Sequence, residues 1–180
     1  MKKYLLLFFF VIFITNTSAN NKEKIIENLE NTKNLNFKFE QNIGGKIENG
    51  ICTIEYPKKI YCDYFKNKIM VSNGKSLVIK TKSGYYRYPL EKTPLNLILD
   101  KKFLINKIYS LNEKIINNAY IHFKILEKDN EINIFFDTDT FDLIGWQTKD
   151  VYQNLNITFI SSVKINETIG KNLFKLPSQN

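Results

Sequence analysis

The chain has 180 residues, 26 of them Lys or Arg and 18 Asp or Glu, with one His, two Cys, 43% hydrophobic and 24% charged residues. That composition describes one globular domain able to bury its own core, and it excludes a disordered polymer. Two cysteines and one histidine do not supply a structural zinc site, and the apolar run Leu5 to Ile14 falls short of the roughly 20 residues of a membrane-spanning helix.

In chain order, basic Met1-Lys2-Lys3, the apolar run and the small residues Thr17-Ser18-Ala19 read as a secretory signal over 1–19, cut after Ala19, with one domain over 20–180. Asn20 rather than Cys follows the cut, which closes the lipid-attachment route. The mature chain stays basic, yet its lysines are interspersed with acids, as in Lys22-Glu23-Lys24 and Glu127-Lys128-Asp129, and its longest basic runs are the pairs Lys58-Lys59 and Lys101-Lys102. Solvated faces are expected, not a nucleic-acid patch.

Ile25, Ile26 and Leu29 predict one amphipathic helix between Asn20 and Lys33. From Leu35 the period becomes two. Leu35, Phe37 and Phe39 alternate with polar residues up to a Gly44-Gly45 turn, and Ile51 to Tyr56 and Ile60 to Phe65 are strands flanking Pro57-Lys58-Lys59. Asn73-Gly74 favours a tight hairpin, and Leu77-Val78-Ile79 and Tyr85 to Tyr88 flank Ser83-Gly84. Helical signals interrupt at Thr93-Pro94-Leu95-Asn96-Leu97-Ile98-Leu99, with Thr93 as cap and Pro94 at the first helical position, and Phe103 to Tyr109 adds a further turn. Strands resume at Tyr120 to Leu126, Glu131 to Asp137, Phe141 to Lys149 and Tyr152 to Ile160. The pattern predicts a mainly β fold of the α+β kind: a curved antiparallel sheet with helices on one side.

Catalytic signatures are missing: there is no G-x-S-x-G, no Gly-rich phosphate loop and no H-E-x-x-H. His122 alternates with Ile121 and Phe123, which puts it on the outer face of its strand. Asp137, Asp139 and Asp142 sit in a loop and read as a solvated turn, with a weak calcium site as the low-prior alternative. Secretion places Cys52 and Cys62 in an oxidising compartment. If the Pro57 to Lys59 turn folds their strands together, the sulfurs share a face about one diagonal apart, and a staple needs a bulge or loop to adjust the register. A disulfide and two buried thiols both remain open on this pattern.

Apolar residues at alternate positions form one concave wall: Leu35, Phe37 and Phe39; Ile54 and Tyr56; Ile60 and Tyr64; Leu77 and Ile79; Ile121, Phe123 and Ile125; Ile132, Ile134 and Phe136; Leu155, Ile157 and Phe159. Either the helices plug this concavity or an apolar ligand does. Periodicity does not choose, and the plugged core is the more common outcome.

The run Phe37-Lys38-Phe39-Glu40-Gln41, then Gly50 leading to Tyr56-Pro57-Lys58-Lys59-Ile60, then Val71-Ser72-Asn73-Gly74-Lys75, resembles the periplasmic outer-membrane lipoprotein carriers of the LolA-like family. Pro89-Leu90 with Thr93-Pro94-Leu95 and Ile98-Leu99 is similar to the family's lid helix, and Leu143-Ile144-Gly145-Trp146 with Leu173-Phe174 to its C-terminal strands. The resemblance implies an incomplete antiparallel β-barrel whose apolar cavity, under an N-terminal helix and a helical lid, shelters lipoprotein acyl chains in the periplasm. It further implies a non-enzymatic monomer without cofactor or metal. Its partners would be lipoprotein cargo, an inner-membrane ABC transporter that loads it, and an outer-membrane receptor lipoprotein that unloads it. The implied cavity comprises Phe37, Phe39, Ile54, Tyr56, Ile60, Tyr64, Leu77, Ile79, Phe123, Ile134, Phe136, Ile157 and Phe159, and the implied lid Thr93, Pro94, Leu95, Leu97, Ile98 and Leu99. Many members carry an Arg where this chain has Tyr56, so the closed state of the lid is either held some other way, Arg87 being one candidate, or is weaker. The alternatives are the lipid-anchored receptor, against which Asn20 speaks, a lipid-sensing periplasmic regulator or scaffold of the same fold, and a secreted hydrolase.

Overall fold

A capping box starts the first helix: the Asn20 side chain accepts from the Glu23 N–H, and the Glu23 carboxylate accepts from the Asn20 N–H at 3.1 Å. The computed structural model describes residues 20–65, 67–149 and 154–179, so the expected signal segment and the start of the strand expected from Tyr152 lie outside the described residues. Helix α1, Asn21–Asn31, buries Ile25 and Leu29 four residues apart, on one face. Among the described residues no helix is long and apolar enough to cross a membrane.

The chain then runs as β1 (Asn34–Ile43), β2 (Lys46–Glu55), β3 (Lys59–Tyr64), β4 (Lys68–Asn73), β5 (Ser76–Lys80) and β6 (Tyr85–Pro89). A 3-10 turn, Leu90–Lys92, leads to α2 (Leu95–Ile98) and α3 (Lys101–Ser110), and strands return as β7 (Lys114–Ile116), β8 (Tyr120–Glu127), β9 (Asn130–Asp137), β10 (Leu143–Lys149) and β11 (Leu155–Ile165). All eleven form one antiparallel sheet in the order β6-β5-β4-β3-β2-β1-β11-β10-β9-β8-β7. Strands β6 and β7 end it unpaired with each other, so the barrel is open, as the family resemblance implies.

Short turns make neighbours of successive strands, and among the described residues the one junction between strands far apart in sequence joins β1 to β11. At the middle of β1, Phe39 pairs with Gly50, where a Cβ would come within 2.6 Å of the Phe39 ring. Glycine is therefore what lets this ring lie flat across β2. The core fills the concave side, where α1 and α3 pack together over inward side chains of the sheet.

Two expectations change. Thr93 does not cap α2; its hydroxyl donates to the Leu90 carbonyl at 2.8 Å and closes the 3-10 turn, leaving Pro94 as the residue before α2. Leu173-Phe174 do not form a strand: they lie in the turn segment after β11, and that tail crosses the outer face. The Lys59 ammonium lies 5.7 Å from the Phe174 ring, and Lys80 donates to the Ser178 carbonyl at 2.9 Å. Between these anchors the outward-facing Val71 and Val78 are buried.

Candidate functional site

The period-two pattern places most of the expected wall correctly. Phe37 and Phe39 on β1, Ile54 on β2, Ile60 and Tyr64 on β3, Leu77 on β5, Phe123 on β8, and Ile134 and Phe136 on β9 are all buried in one cluster. Tyr56 is partly buried against it, and half-buried Ile79 pairs with Met70, which packs on the same cluster. The Tyr64 ring meets Phe39 edge-on at 4.8 Å, and its hydroxyl donates to Gln41 Oε1 at 3.1 Å. Burial, reinforced by the Glu48 charge, pushes the Tyr64 phenol above its ordinary range.

Strand β11 reverses the expectation. Directly paired residues share a face, and Phe39 pairs with Ile160, Gln41 with Thr158. Ile160 and Thr158 therefore point inward and are buried, while Leu155, Ile157 and Phe159 point outward. Phe159 is 49% exposed and stacks on Phe135 of β9, 6.1 Å between ring centroids. Ile157 and Phe159 consequently leave the set of wall residues. The misreading has a physical source: the outer face carries its own aromatic cluster, in which Phe135 also meets Tyr120 at 5.2 Å and His122 at 5.6 Å.

What fills the concavity is protein. Ile25 and Leu29 of α1, Leu90 of the 3-10 turn, Ile98 and Leu99 at the end of α2, and Leu104 and Ile108 of α3 belong to the same buried cluster as the sheet wall. The recess lined by Leu29, Leu35, Phe136 and Leu143 measures ≈ 10 Å³, about the space of one water. In this conformation the apolar wall is plugged by its helices.

The plug is attached at a few polar points. The Lys58 N–H donates to the Leu99 carbonyl at 2.9 Å, the Leu90 N–H to the Lys75 carbonyl at 2.9 Å, and the Lys58 ammonium lies 3.3 Å from Asp100 Oδ2. Asp100 also caps α3, its Oδ1 accepting from the Phe103 N–H at 3.1 Å. Lys101 reaches the last carbonyls of α1, donating to Glu30 and Thr32 at 3.0 and 2.9 Å, a favourable place for a cation at a helix C-terminus. Arg87 is not part of this attachment: on edge strand β6 it donates to Ser76 Oγ at 3.1 Å. Sequence reasoning missed Lys58, Asp100 and Lys101, whose only signal was an acid ahead of a helix and two lysine pairs.

Tyr56 lies beneath Lys101, whose ammonium is 5.9 Å from its ring. Its hydroxyl is buried with no hydrogen-bond partner among the described residues, and burial pushes the phenol far above its ordinary range. Cys52 and Cys62 are joined by a disulfide on the inner face; they are direct partners across β2 and β3 with Cα atoms 4.1 Å apart, so no register adjustment is needed. His122 stands on the outer face, its Nε2 2.8 Å from Asn133 Oδ1. Asp137 Oδ1 accepts from the N–H groups of Asp139 and Thr140 at 2.9 and 2.8 Å, and these bonds hold its carboxyl below the usual range. Among the described residues no three His, Cys, Asp or Glu side chains converge as a metal site requires.

No protein in the curated comparison matches by sequence. Among solved structures, an uncharacterized conserved protein from Thermus thermophilus superposes with TM-score 0.52 at 6% identity, covering 89% of this chain and 96% of its own. That likeness shows the fold. A putative outer membrane lipoprotein-sorting protein domain from Vibrio parahaemolyticus has TM-score 0.48 at 8% identity over 87% and 97% of the two chains. A LolA superfamily protein from Nitrosomonas europaea has TM-score 0.43 at 8% identity over 87% and 99%. Residues 16–177 match the family described as outer membrane lipoprotein carrier protein LolA, and the chain belongs to that family.

Proposed function

We propose that this chain carries acylated lipoproteins across the periplasm, sheltering their acyl chains against the concave wall. The observation that carries the reading is the plug: beside α1 and α3, part of the apolar wall is covered by side chains on the short elements of 90–99, joined to the sheet by few polar contacts. Exposing Leu90, Ile98 and Leu99 costs roughly 5–9 kcal/mol, at roughly 1.5–3 for each side chain. Burying one acyl chain of about 15 methylenes returns on the order of 10 kcal/mol. Exchange of plug for cargo is thus near balance with one chain and favourable with two or three, as a reversible shuttle requires.

In this reading 90–99 is the lid, and Phe37, Phe39, Ile54, Ile60, Leu77, Phe123, Ile134 and Phe136 receive the cargo. Loading from an inner-membrane ABC transporter and delivery to an outer-membrane acceptor complete the cycle, with no covalent step. The test is native mass spectrometry after incubation with inner-membrane vesicles holding a triacylated lipoprotein. A soluble one-to-one complex is the expected product. A chain that stays empty, and also ignores free fatty ligands, overturns the carrier reading in favour of a scaffold with an ordinary core.

A further inference from the structure

Three hairpins end at the same edge of the sheet, opposite the β2–β3 turn that holds 90–99. Residues at these hairpin ends, Lys46 and Ile47 at the start of β2, Phe65 after β3, Lys68 at the start of β4, and Lys82 and Ser83 between β5 and β6, together line a cleft of ≈ 370 Å³. The turns therefore stand side by side without burying one another's apolar tips. Phe65 is 67% exposed and Ile47 53%, both among the most exposed large apolar side chains described. Leu155, 45% exposed, joins them, since its carbonyl accepts from the Gly44 N–H at 3.1 Å.

Among the described residues the charge lining this cleft is positive in excess. Lys46, Lys68 and Lys82 line the cleft against a single acid, Glu48. Glu48 is held by both Lys46, at 2.8 Å, and Lys68, so the carboxylate is already neutralised twice over. Lys68 also lies 3.7 Å from the Tyr64 ring centroid, and the Lys46 side chain is 74% exposed. Exposed aromatic and aliphatic tips beside lysines have the chemistry of an interfacial anchor: the tips enter the headgroup boundary while the ammonium groups meet lipid phosphates.

We propose that this hairpin edge docks on the surface of an anionic phospholipid bilayer, with Phe65 and Ile47 inserted and Lys46 and Lys82 against the headgroups. Charge complementarity selects an anionic bilayer over an apolar protein groove, because Lys46, Lys68 and Lys82 line the same cleft as the Phe65 and Ile47 tips. The inference goes beyond the carrier reading, since it needs no cargo and is tested on the empty protein. An edge that touches the membrane reversibly leaves the plugged face, at the other end of the strands, free of the bilayer.

The test is vesicle sedimentation of the chain beginning at Asn20, which contains every described element and its core. Vesicles of phosphatidylcholine with and without phosphatidylglycerol are compared at low and physiological salt. Binding is expected only with phosphatidylglycerol, weaker at higher salt, and weakened about tenfold in Phe65→Ser combined with Ile47→Ser. Lys46→Gln with Lys82→Gln weakens it by about the same factor. In a Phe65→Trp variant the added emission shifts to the blue on phosphatidylglycerol vesicles, over a constant background from Trp146, which is buried. Unchanged binding by the Phe65/Ile47 double variant, or no binding to either vesicle, overturns the proposal. A protein partner lost with the same substitutions while vesicles are ignored overturns it equally.

Discussion

Lys58 and Asp100 join the tip of the β2–β3 hairpin to the start of α3, ammonium to carboxylate at 3.3 Å, with the Lys58 N–H bonded to the neighbouring Leu99 carbonyl. Both side chains are about a third exposed, 34% and 29%, so the ion pair itself contributes at most about 1 kcal/mol. Lys58→Met is therefore expected to lower global stability by less than about 1 kcal/mol while raising amide exchange within 90–100 severalfold. Exchange unchanged across this segment would mean that the apolar contacts alone hold it. Asp100→Ala also removes the α3 cap and should cost about 1 kcal/mol more in thermal unfolding.

The buried Tyr56 hydroxyl has no partner among the described residues, so its removal leaves nothing unsatisfied. Tyr56→Phe is predicted to leave thermal stability unchanged or to raise it by up to about 1 kcal/mol. A loss above about 1 kcal/mol in a denaturation series would reveal a hydrogen bond formed by that hydroxyl.

The Cys52–Cys62 disulfide closes a loop of sequence separation 10. Replacing both by Ala should cost about 2–3 kcal/mol of unfolding free energy, through the larger entropy of the unfolded chain. Urea midpoints that coincide for the two proteins would show that the β2–β3 pairing persists in the unfolded ensemble without the bond.

Acid sensitivity follows from Glu48 and Asp137. Burial raises the Glu48 pKa, but hydrogen bonds from Lys46 and Lys68 outweigh it and bring the net value below the usual glutamate range. The Thr140 and Asp139 N–H groups lower Asp137 in the same direction. A carboxylate with a depressed folded pKa stabilises fully above its unfolded value, near about 4 for both, and loses this as pH falls through the folded value. Stability should therefore decline below about pH 4, and Glu48→Gln with Asp137→Asn should flatten that decline. A decline of unchanged slope in the double variant would assign the acid limb to other groups.

If the carrier proposal holds, acyl number should decide whether residues 90–99 move. With one chain near balance against the plug, a monoacylated ligand is expected to bind at least about tenfold more weakly than a triacylated one, measured by native mass spectrometry at equal concentrations. Equal binding would mean that cargo enters without displacing Leu90, Ile98 and Leu99.

Much of this was legible in the sequence because the inner wall obeys a strict alternation. On β1, β3, β8 and β9 the residues two apart from Phe37, Ile60, Phe123 and Ile134 face inward as the pattern requires. On β11 the same rule selects Leu155, Ile157 and Phe159, and the inner residues Thr158 and Ile160 are the less apolar alternation. Only the register with Phe39 and Gln41 resolves that parity, and register between strands far apart in sequence is not written in either strand alone. The attachment of 90–99 was hidden for a similar reason. Lys58, Asp100 and Lys101 look like surface charges until the fold sets the β2–β3 turn against the start of α3.

The parity of β1 and β11 also gives the most direct test of the cargo wall. A photoreactive benzophenone side chain is placed either at Phe39, inside, or at Phe159, outside, and the protein is loaded with a triacylated lipoprotein before illumination. Crosslinks to the acylated N-terminus from position 39 and none from position 159 are the predicted result. Crosslinks from position 159 alone, or an intact complex that position 39 never labels, would contradict the concave wall as the cargo site.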